Sequence, residues 1–301
     1  MHHLGLDIGG TKMEAVLLSP QGDCLWRQRR PTQKESYDTF MLHLVGLIEE
    51  ARSISPVPFS VGIGLPGAID PQSGLIKNCN CLVLNGHDLK TDVAARIQQP
   101  VWIANDADCF TLSEAVDGAG AKADTVFGVI IGTGCGGGVA VHKRLLQGPN
   151  AIAGEWGHNP LPGYTPAYDG PEQPCYCGNI NCIETFISGT GFARRFPAEL
   201  TSQEIIEAAE QGNPQARAHW QHFIDAFARS LASVINILDP QVIVLGGGLS
   251  NISRIYQELP DAIVPYIFSN SCHTRVVPAR FGDASGVRGA AWLPGLNARE
   301  T

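Results

Sequence analysis

The sequence predicts an α/β fold built from two related halves that face a common cleft. Strand-like and helix-like segments alternate along the chain, which implies a largely mixed or parallel sheet. A strand, glycine turn, strand unit opens the chain and recurs near residue 126, each turn carrying a threonine. The chain has 301 residues, a length that suits about two domains of roughly 150 residues each. Hydrophobic residues make up 44% and charged residues 17%, which excludes a disordered polar chain.

The elements follow in order. Residues 3–8 and 13–18 read as strands joined by Gly9-Gly10-Thr11-Lys12, and Gly22-Asp23 turns the chain into a third run over 24–29. Phe40, Leu44, Leu47, Ile48 and Ala51 share one helical face. Short β-rich runs cover 60–65 and 101–104, and helix signals return over 107–116. Around Gly118-Ala119-Gly120 the plan restarts: a strand over 126–131, a glycine turn over 132–138, a strand over 139–141. Residues 154–174 are rich in Gly, Pro and Tyr and read as loop. A long helix is expected before Asp239-Pro240, with Trp220, Phe223, Phe227, Leu231, Val234, Ile235 and Leu238 on one stripe. A buried-type strand over 241–245 then reaches Gly246-Gly247-Gly248, which turns toward another helix, and a last helix is expected over 285–293. The expected division is residues 1–117 plus 288–301 as a smaller half and 118–287 as a larger one.

Net charge is −8 and the sequence pI is about 5.6, so the chain lacks the electrostatic footprint of a nucleic-acid or anionic-membrane binder. No uninterrupted apolar stretch is long enough to span a bilayer, and Met1-His2-His3-Leu4-Gly5 lacks signal-peptide character. A soluble, cytoplasmic protein is expected. Of nine cysteines, six are scattered, whereas Cys175, Cys177 and Cys182 cluster within eight residues. In a cytosolic chain such a cluster reads as a metal site more readily than as disulfides.

Glycine turns at strand ends let backbone amides approach an anion, and a threonine adds a hydroxyl donor. One such turn is equally a plain hairpin. Here Gly9-Gly10-Thr11, Gly132-Thr133-Gly134 and Gly246-Gly247-Gly248 make three, which suits a nucleoside triphosphate: two for the phosphates and one for the adenosine end. Asp7, one strand-end away, suits magnesium held directly or through water. Lys12 reads either as a phosphate ligand or as a solvated lysine. Asp106 follows a strand and precedes a helix, so it serves either as a helix cap or as a base that accepts the proton of an attacking hydroxyl. Glu155, His158 and Glu184 are residue types that can take paired hydrogen bonds from vicinal hydroxyls, although a lone Glu or His is usually a surface or satisfied core residue.

Asp7-Ile8-Gly9-Gly10-Thr11-Lys12, Asn105-Asp106-Ala107, Gly132-Thr133-Gly134, Gly154-Glu155-Trp156-Gly157-His158 and the run from Cys175-x-Cys177-Gly178 to Cys182-x-Glu184 occur in one order over nearly the whole chain. In this they resemble the ROK family of sugar kinases and repressors, which has the actin-like ATPase (ribonuclease H-like) fold. The resemblance implies Asp106 as catalytic base, with Pro66, Gly67, Asn80, Asn105, Glu155, His158 and Glu184 contacting the sugar. It implies Asp7, Gly9, Gly10, Thr11, Lys12, Gly132, Thr133, Gly134 and Gly246-Gly247-Gly248 toward ATP and Mg2+. His158, Cys175, Cys177 and Cys182 would hold a structural Zn2+, and a homodimer is implied. Two departures stand out: the family usually has Asn where Asp108 stands and Gly where Asn181 precedes Cys182.

An ATP-dependent hexose kinase acting on a 6-hydroxyl is therefore expected, with small-molecule sugar and ATP as partners and neither nucleic acid nor membrane. Residues 77–80 and 155–160 resemble the fructokinase group, so fructose or mannose ranks first and N-acetylglucosamine a close second. The other class is a non-catalytic sugar-sensing regulator. The family's repressors carry a helix-turn-helix ahead of the first hairpin, and here that hairpin begins at residue 3.

Overall fold

The computed structural model describes residues 1–297. The first half runs β1 (His2–Ile8), β2 (Lys12–Leu18), β3 (Cys24–Pro31), α1 (Tyr37–Ile54), β4 (Phe59–Leu65), a small hairpin of β5 (Ala68–Ile69) and β6 (Ile76–Lys77), α2 (Leu89–Ile97), β7 (Val101–Asn105) and α3 (Asp106–Val116). The second runs β8 (Thr125–Ile131), β9 (Cys135–Val141), β10 (Arg144–Leu145), α4 (Pro166–Asp169), α5 (Glu184–Ile187), α6 (Gly189–Arg194), α7 (Ser202–Glu210), α8 (Pro214–Leu238), β11 (Val242–Gly246), α9 (Ser253–Ile263), β12 (Arg275–Pro278) and α10 (Ser285–Asn297). Residues 298–301, the tail of the segment assigned to the smaller half, lie outside the described residues.

Both five-stranded sheets are wired alike. The first has the order β3-β2-β1-β4-β7 and the second β10-β9-β8-β11-β12. In each, two antiparallel pairings are followed by two parallel ones. The repeated plan in the sequence is thus a repeated topology. Parallel neighbours need crossover helices, which α1 and α2, then α8 and α9, supply.

Local chemistry sets the helix starts. Ser36, Asp88 and Asn105 each accept a backbone N–H at the head of α1, α2 and α3, and Asn213 precedes Pro214 at the head of α8. The α8 stripe is largely as expected: Trp220, Phe223, Phe227, Leu231 and Ile235 are buried, and Val234 and Leu238 are partly so. They cover Phe127, Val129 and Ile131 of β8. In the first half, α1 and α2 cover one face of the sheet through Phe40, Leu44, Leu47 and Val93.

The inner faces are covered differently. Helix α3, which leaves the last strand of the first sheet, packs on β8 and β9 of the second. Helix α10, which follows the last strand of the second sheet, packs on β1, β2 and β4 of the first. The two helices meet each other between the sheets. Close approach is what the strand glycines provide. A Cβ on Gly5 would lie 2.1 Å from the Val287 carbonyl of α10, and one on Gly128 would lie 2.1 Å from Thr111 Oγ1 of α3.

The same demand corrects one expectation. The turn predicted over 132–138 is shorter: Gly136, Gly137 and Gly138 belong to β9. A side chain on Gly138 would strike Thr111 and one on Gly137 would strike Trp156. The loop expected over 154–174 also contains a 3-10 turn at Trp156–His158 and the short α4. Among the described residues no helix is long and apolar enough to cross a membrane.

Candidate active site

The carboxyl ends of the parallel strands point into the cleft, the usual position for ligands in such sheets. In register, Asp7 lies beside Gly64, and Leu65 beside Asn105. Asp7, the Pro66-Gly67 segment and Asn105-Asp106 therefore come together. Asn105 does two jobs: its Oδ1 accepts the Ala107 N–H at 2.7 Å, capping α3, and its Nδ2 donates to the Gly67 carbonyl at 3.3 Å. With the cap supplied by Asn105, Asp106 is not needed for that role, although its Oδ1 also accepts the Ala107 N–H at 2.8 Å. Asn80 donates its N–H to the Pro66 carbonyl at 3.1 Å.

Three carboxylates crowd this end of α3. Burial, then the Asp106 and Glu14 charges, push Asp7 up to about 6, partly offset by Lys12. Burial and Glu155 raise Asp106 above the usual carboxylate range, against the Ala107 N–H that favours its charged form. Burial, then Glu155 and Asp106, push Asp108 up to about 7. Asp108 Oδ1 is buried with no hydrogen-bond partner among the described residues.

The first glycine turn is held from outside itself. Gly9 N–H donates to the Lys12 carbonyl at 2.8 Å, while Thr32 donates its hydroxyl to the Gly9 carbonyl and its N–H to the Thr11 carbonyl. Thr32 went unnoticed in the sequence because it carries no local pattern. A Cβ on Gly10 would meet only the Asn80 carbonyl, at 4.0 Å, and one on Gly132 would meet nothing within 4 Å. The side of each of these glycines that a Cβ would occupy is open. Thr11, Lys12 and Thr133 are exposed.

The second glycine turn borders a cavity of about 1040 Å³. Gly132, Thr133, Gly189, Thr190, Ser202 and Gly248 are among its lining residues. Of the glycines at 246–248, the first of which ends β11, only Gly248 lines it. A Cβ on Gly246 would lie 2.4 Å from the Phe110 ring and one on Gly247 would lie 2.6 Å from the Ile131 carbonyl, so these two serve internal packing. Gly189 N–H donates to the Gly132 carbonyl at 2.7 Å, which ties α6 to the turn. The α6 and α7 walls were not foreseen. A second Gly-Thr-Gly run, 189–191, was the signal available. Glu184 stands next to this turn, its Oε2 accepting the Cys135 N–H at 2.8 Å.

His158, Cys175, Cys177 and Cys182 converge, each offering one ligand atom, with all four atoms within 4.8 Å of one another. Cys177 and Cys182 sulfurs are 3.6 Å apart, and Cys175 Sγ is 3.6 Å from His158 Nδ1. Three soft thiolates and an imidazole at this spacing suit a tetrahedral ion with Zn–S distances of about 2.3 Å. Asn181 keeps a left-handed backbone, φ 55°, a conformation that Asn tolerates better than most residues. Its side chain accepts the Gln173 N–H at 2.9 Å, so the turn ahead of Cys182 forms without glycine.

On the other side of the imidazole, His158 Nε2 is 4.0 Å from Glu155 Oε2 and 3.0 Å from the Tyr176 hydroxyl. Burial of that hydroxyl, then the Glu184 and Glu155 charges, push the phenol up to about 12. Tyr176 was missed in the sequence because it stands at an unspecified position between two cysteines of the cluster.

The sequence matches the ROK family over residues 3–295. It is 40% identical over 298 residues to an N-acetyl-D-glucosamine kinase of Yersinia pseudotuberculosis, covering 97% of this chain and 98% of that one. It is 38% identical, at the same coverage, to an N-acetyl-D-glucosamine kinase of Salmonella typhimurium. Among solved structures it resembles a ROK hexokinase from Thermus thermophilus, with TM-score 0.89, 27% identity and full coverage of both chains. It also resembles a ROK family glucokinase from Streptomyces griseus in complex with glucose and AMPPNP, with TM-score 0.75, 25% identity and coverage of 97% and 98%.

Proposed function

This chain belongs to the ROK family and is an ATP-dependent sugar kinase, and on that footing we propose that its acceptor is the 6-hydroxyl of N-acetyl-D-glucosamine. The observation that carries the acceptor is the 40% identity to an N-acetyl-D-glucosamine kinase over almost the full length of both chains. It favours the second of the two sugars expected from the sequence over fructose or mannose.

In the proposed reaction the sugar lies against Pro66, Gly67, Asn80, Asn105, Glu155, His158 and Glu184. Asp106 accepts the proton of the attacking hydroxyl as its oxygen bonds to the γ-phosphorus, and the bond from that phosphorus to the ADP oxygen breaks. The raised pKa of Asp106 makes it a stronger base once ionised. The open-sided glycine turns at 9–11 and 132–134, with Lys12, hold the phosphates through backbone N–H groups, and the adenosine end lies in the cavity beyond Thr133 and Gly248. Magnesium, held by Asp7 directly or through water, would neutralise phosphate charge. The His158, Cys175, Cys177 and Cys182 set would hold zinc as a structural ion that fixes the imidazole tautomer. A homodimer, readable by light scattering, belongs to the same proposal.

The test is ADP release with magnesium-ATP against N-acetylglucosamine, fructose, mannose, glucose and N-acetylmannosamine. The highest kcat/KM is expected on N-acetylglucosamine. Asp106→Asn is expected to lose about 10²- to 10⁴-fold in kcat, the usual worth of a general base, with sugar affinity retained. A higher kcat/KM on fructose or mannose would overturn the acceptor. Sugar binding without turnover on any of the five would leave a sensor.

A further inference from the structure

Tyr176 stands between two ligand cysteines, 84% exposed. Its ring meets His158 edge-on, with centroids 5.2 Å apart and an interplanar angle of 89°. Its hydroxyl is 3.0 Å from His158 Nε2, the one hydrogen-bond partner of that hydroxyl among the described residues. The opposite ring nitrogen, Nδ1, faces Cys175 Sγ. An imidazole that binds a metal through Nδ1 carries its hydrogen on Nε2, so it has one hydrogen bond left to donate. In the free protein the Tyr176 oxygen takes that bond.

We infer that Tyr176 is a gate on the acceptor site, its hydroxyl holding the single hydrogen bond that His158 can offer a sugar hydroxyl until the sugar displaces it. The inference rests on the proposed acceptor site at Glu155, His158 and Glu184. Three features fit a displaceable occupant. The side chain is exposed, so swinging it outward uncovers little apolar surface. Its fixed contact is with the imidazole that the sugar needs. Glu155 Oε2 lies 4.0 Å from the same nitrogen, so a sugar hydroxyl arriving there meets an acceptor and a donor together. Tyr176 thereby sets affinity and favours sugars able to compete for both groups.

Tyr176→Phe keeps the ring and removes the competing oxygen. An exposed neutral hydrogen bond is worth about a two- to tenfold change in an equilibrium constant. The Kd of N-acetylglucosamine by calorimetry and its KM are expected to fall by that factor, with kcat and bound zinc unchanged. Tyr176→Ala is expected to give a similar fall. A Phe variant with unchanged or weaker sugar binding overturns the inference, as does tighter binding in the Ala variant alone, which would assign the effect to the ring. If the wild-type protein binds none of the five sugars, the acceptor reading fails and takes this inference with it. If it binds and the Phe variant is unaltered, the inference alone fails.

Discussion

Replacing Asp108 by Asn should make the protein more stable at neutral and alkaline pH, although Asp108 stands next to the proposed catalytic base. The carboxyl is pushed from 3.8 up to about 7, first by burial and then by Glu155 and Asp106, and its Oδ1 has no partner among the described residues. A carboxyl whose folded pKa lies above its unfolded value stabilises the fold only while protonated. That contribution is complete below about 4 and is lost as pH rises through about 7. Three units at about 1.4 kcal/mol each give a ceiling of about 4 kcal/mol, and relaxation around the charge brings the expected gain to about 1–3 kcal/mol. An Asn buries a neutral amide instead, at a smaller desolvation cost. For a chain of this length the gain corresponds to roughly 2–5 °C in Tm. Thermal unfolding of both proteins from pH 4.5 to 8.5 measures it. The gap should be widest at the alkaline end and should narrow toward acid. An Asn variant that is no more stable at pH 8, or whose gain is the same at every pH, would refute the reasoning.

Two further outcomes follow from packing and from the thiolate cluster. Gly289→Ala would bring a Cβ to 1.6 Å from the Cys109 carbonyl, forcing α3 and α10 apart; a loss of about 1–3 kcal/mol or more is expected. Gly46→Ala in α1, with nothing within 4 Å, should instead gain about 0.5–1 kcal/mol, so calorimetry of the pair separates crowding from helix propensity. Emission spectroscopy should find zinc in the purified protein, and Cys182→Ser should weaken its retention against a chelator by at least the order of tenfold.

The parts legible in the sequence were those written in local patterns. The first hairpin, the α8 stripe and the recurring glycine turn needed only neighbours a few residues apart, and each has its counterpart in the structure. His158, Cys175, Cys177 and Cys182, grouped by motif order, likewise place their ligand atoms within 4.8 Å of one another. What escaped depended on partners far along the chain. Thr32 matters because it reaches the Gly9 carbonyl, and Gly136 to Gly138 form strand because Thr111 and Trp156 lie against them. Strand β12 is four residues long and ends in proline, too short to register as a periodic run. The order of the sugars, in which the relatives favour the second-ranked over the first, had no local signal, because fructose, mannose and N-acetylglucosamine present similar hydroxyls to the same carboxylates. Residues that fit an acetamido group have no recognisable spacing.

The arrangement of α3 and α10 bears on whether this chain can be divided. Each half ends in a helix that covers the other half's sheet, and Gly5 and Gly128, at corresponding points of β1 and β8, receive those helices. The two halves thus exchange their terminal helices within one polypeptide. Neither half is therefore an autonomous unit. A fragment ending after Val116 would keep α3 but leave the α10-facing side of β1, β2 and β4 bare, and its complement would lack cover on β8 and β9. Co-expressed, the two pieces have matching bare faces and should recombine, whereas either alone presents an apolar sheet to solvent and should aggregate.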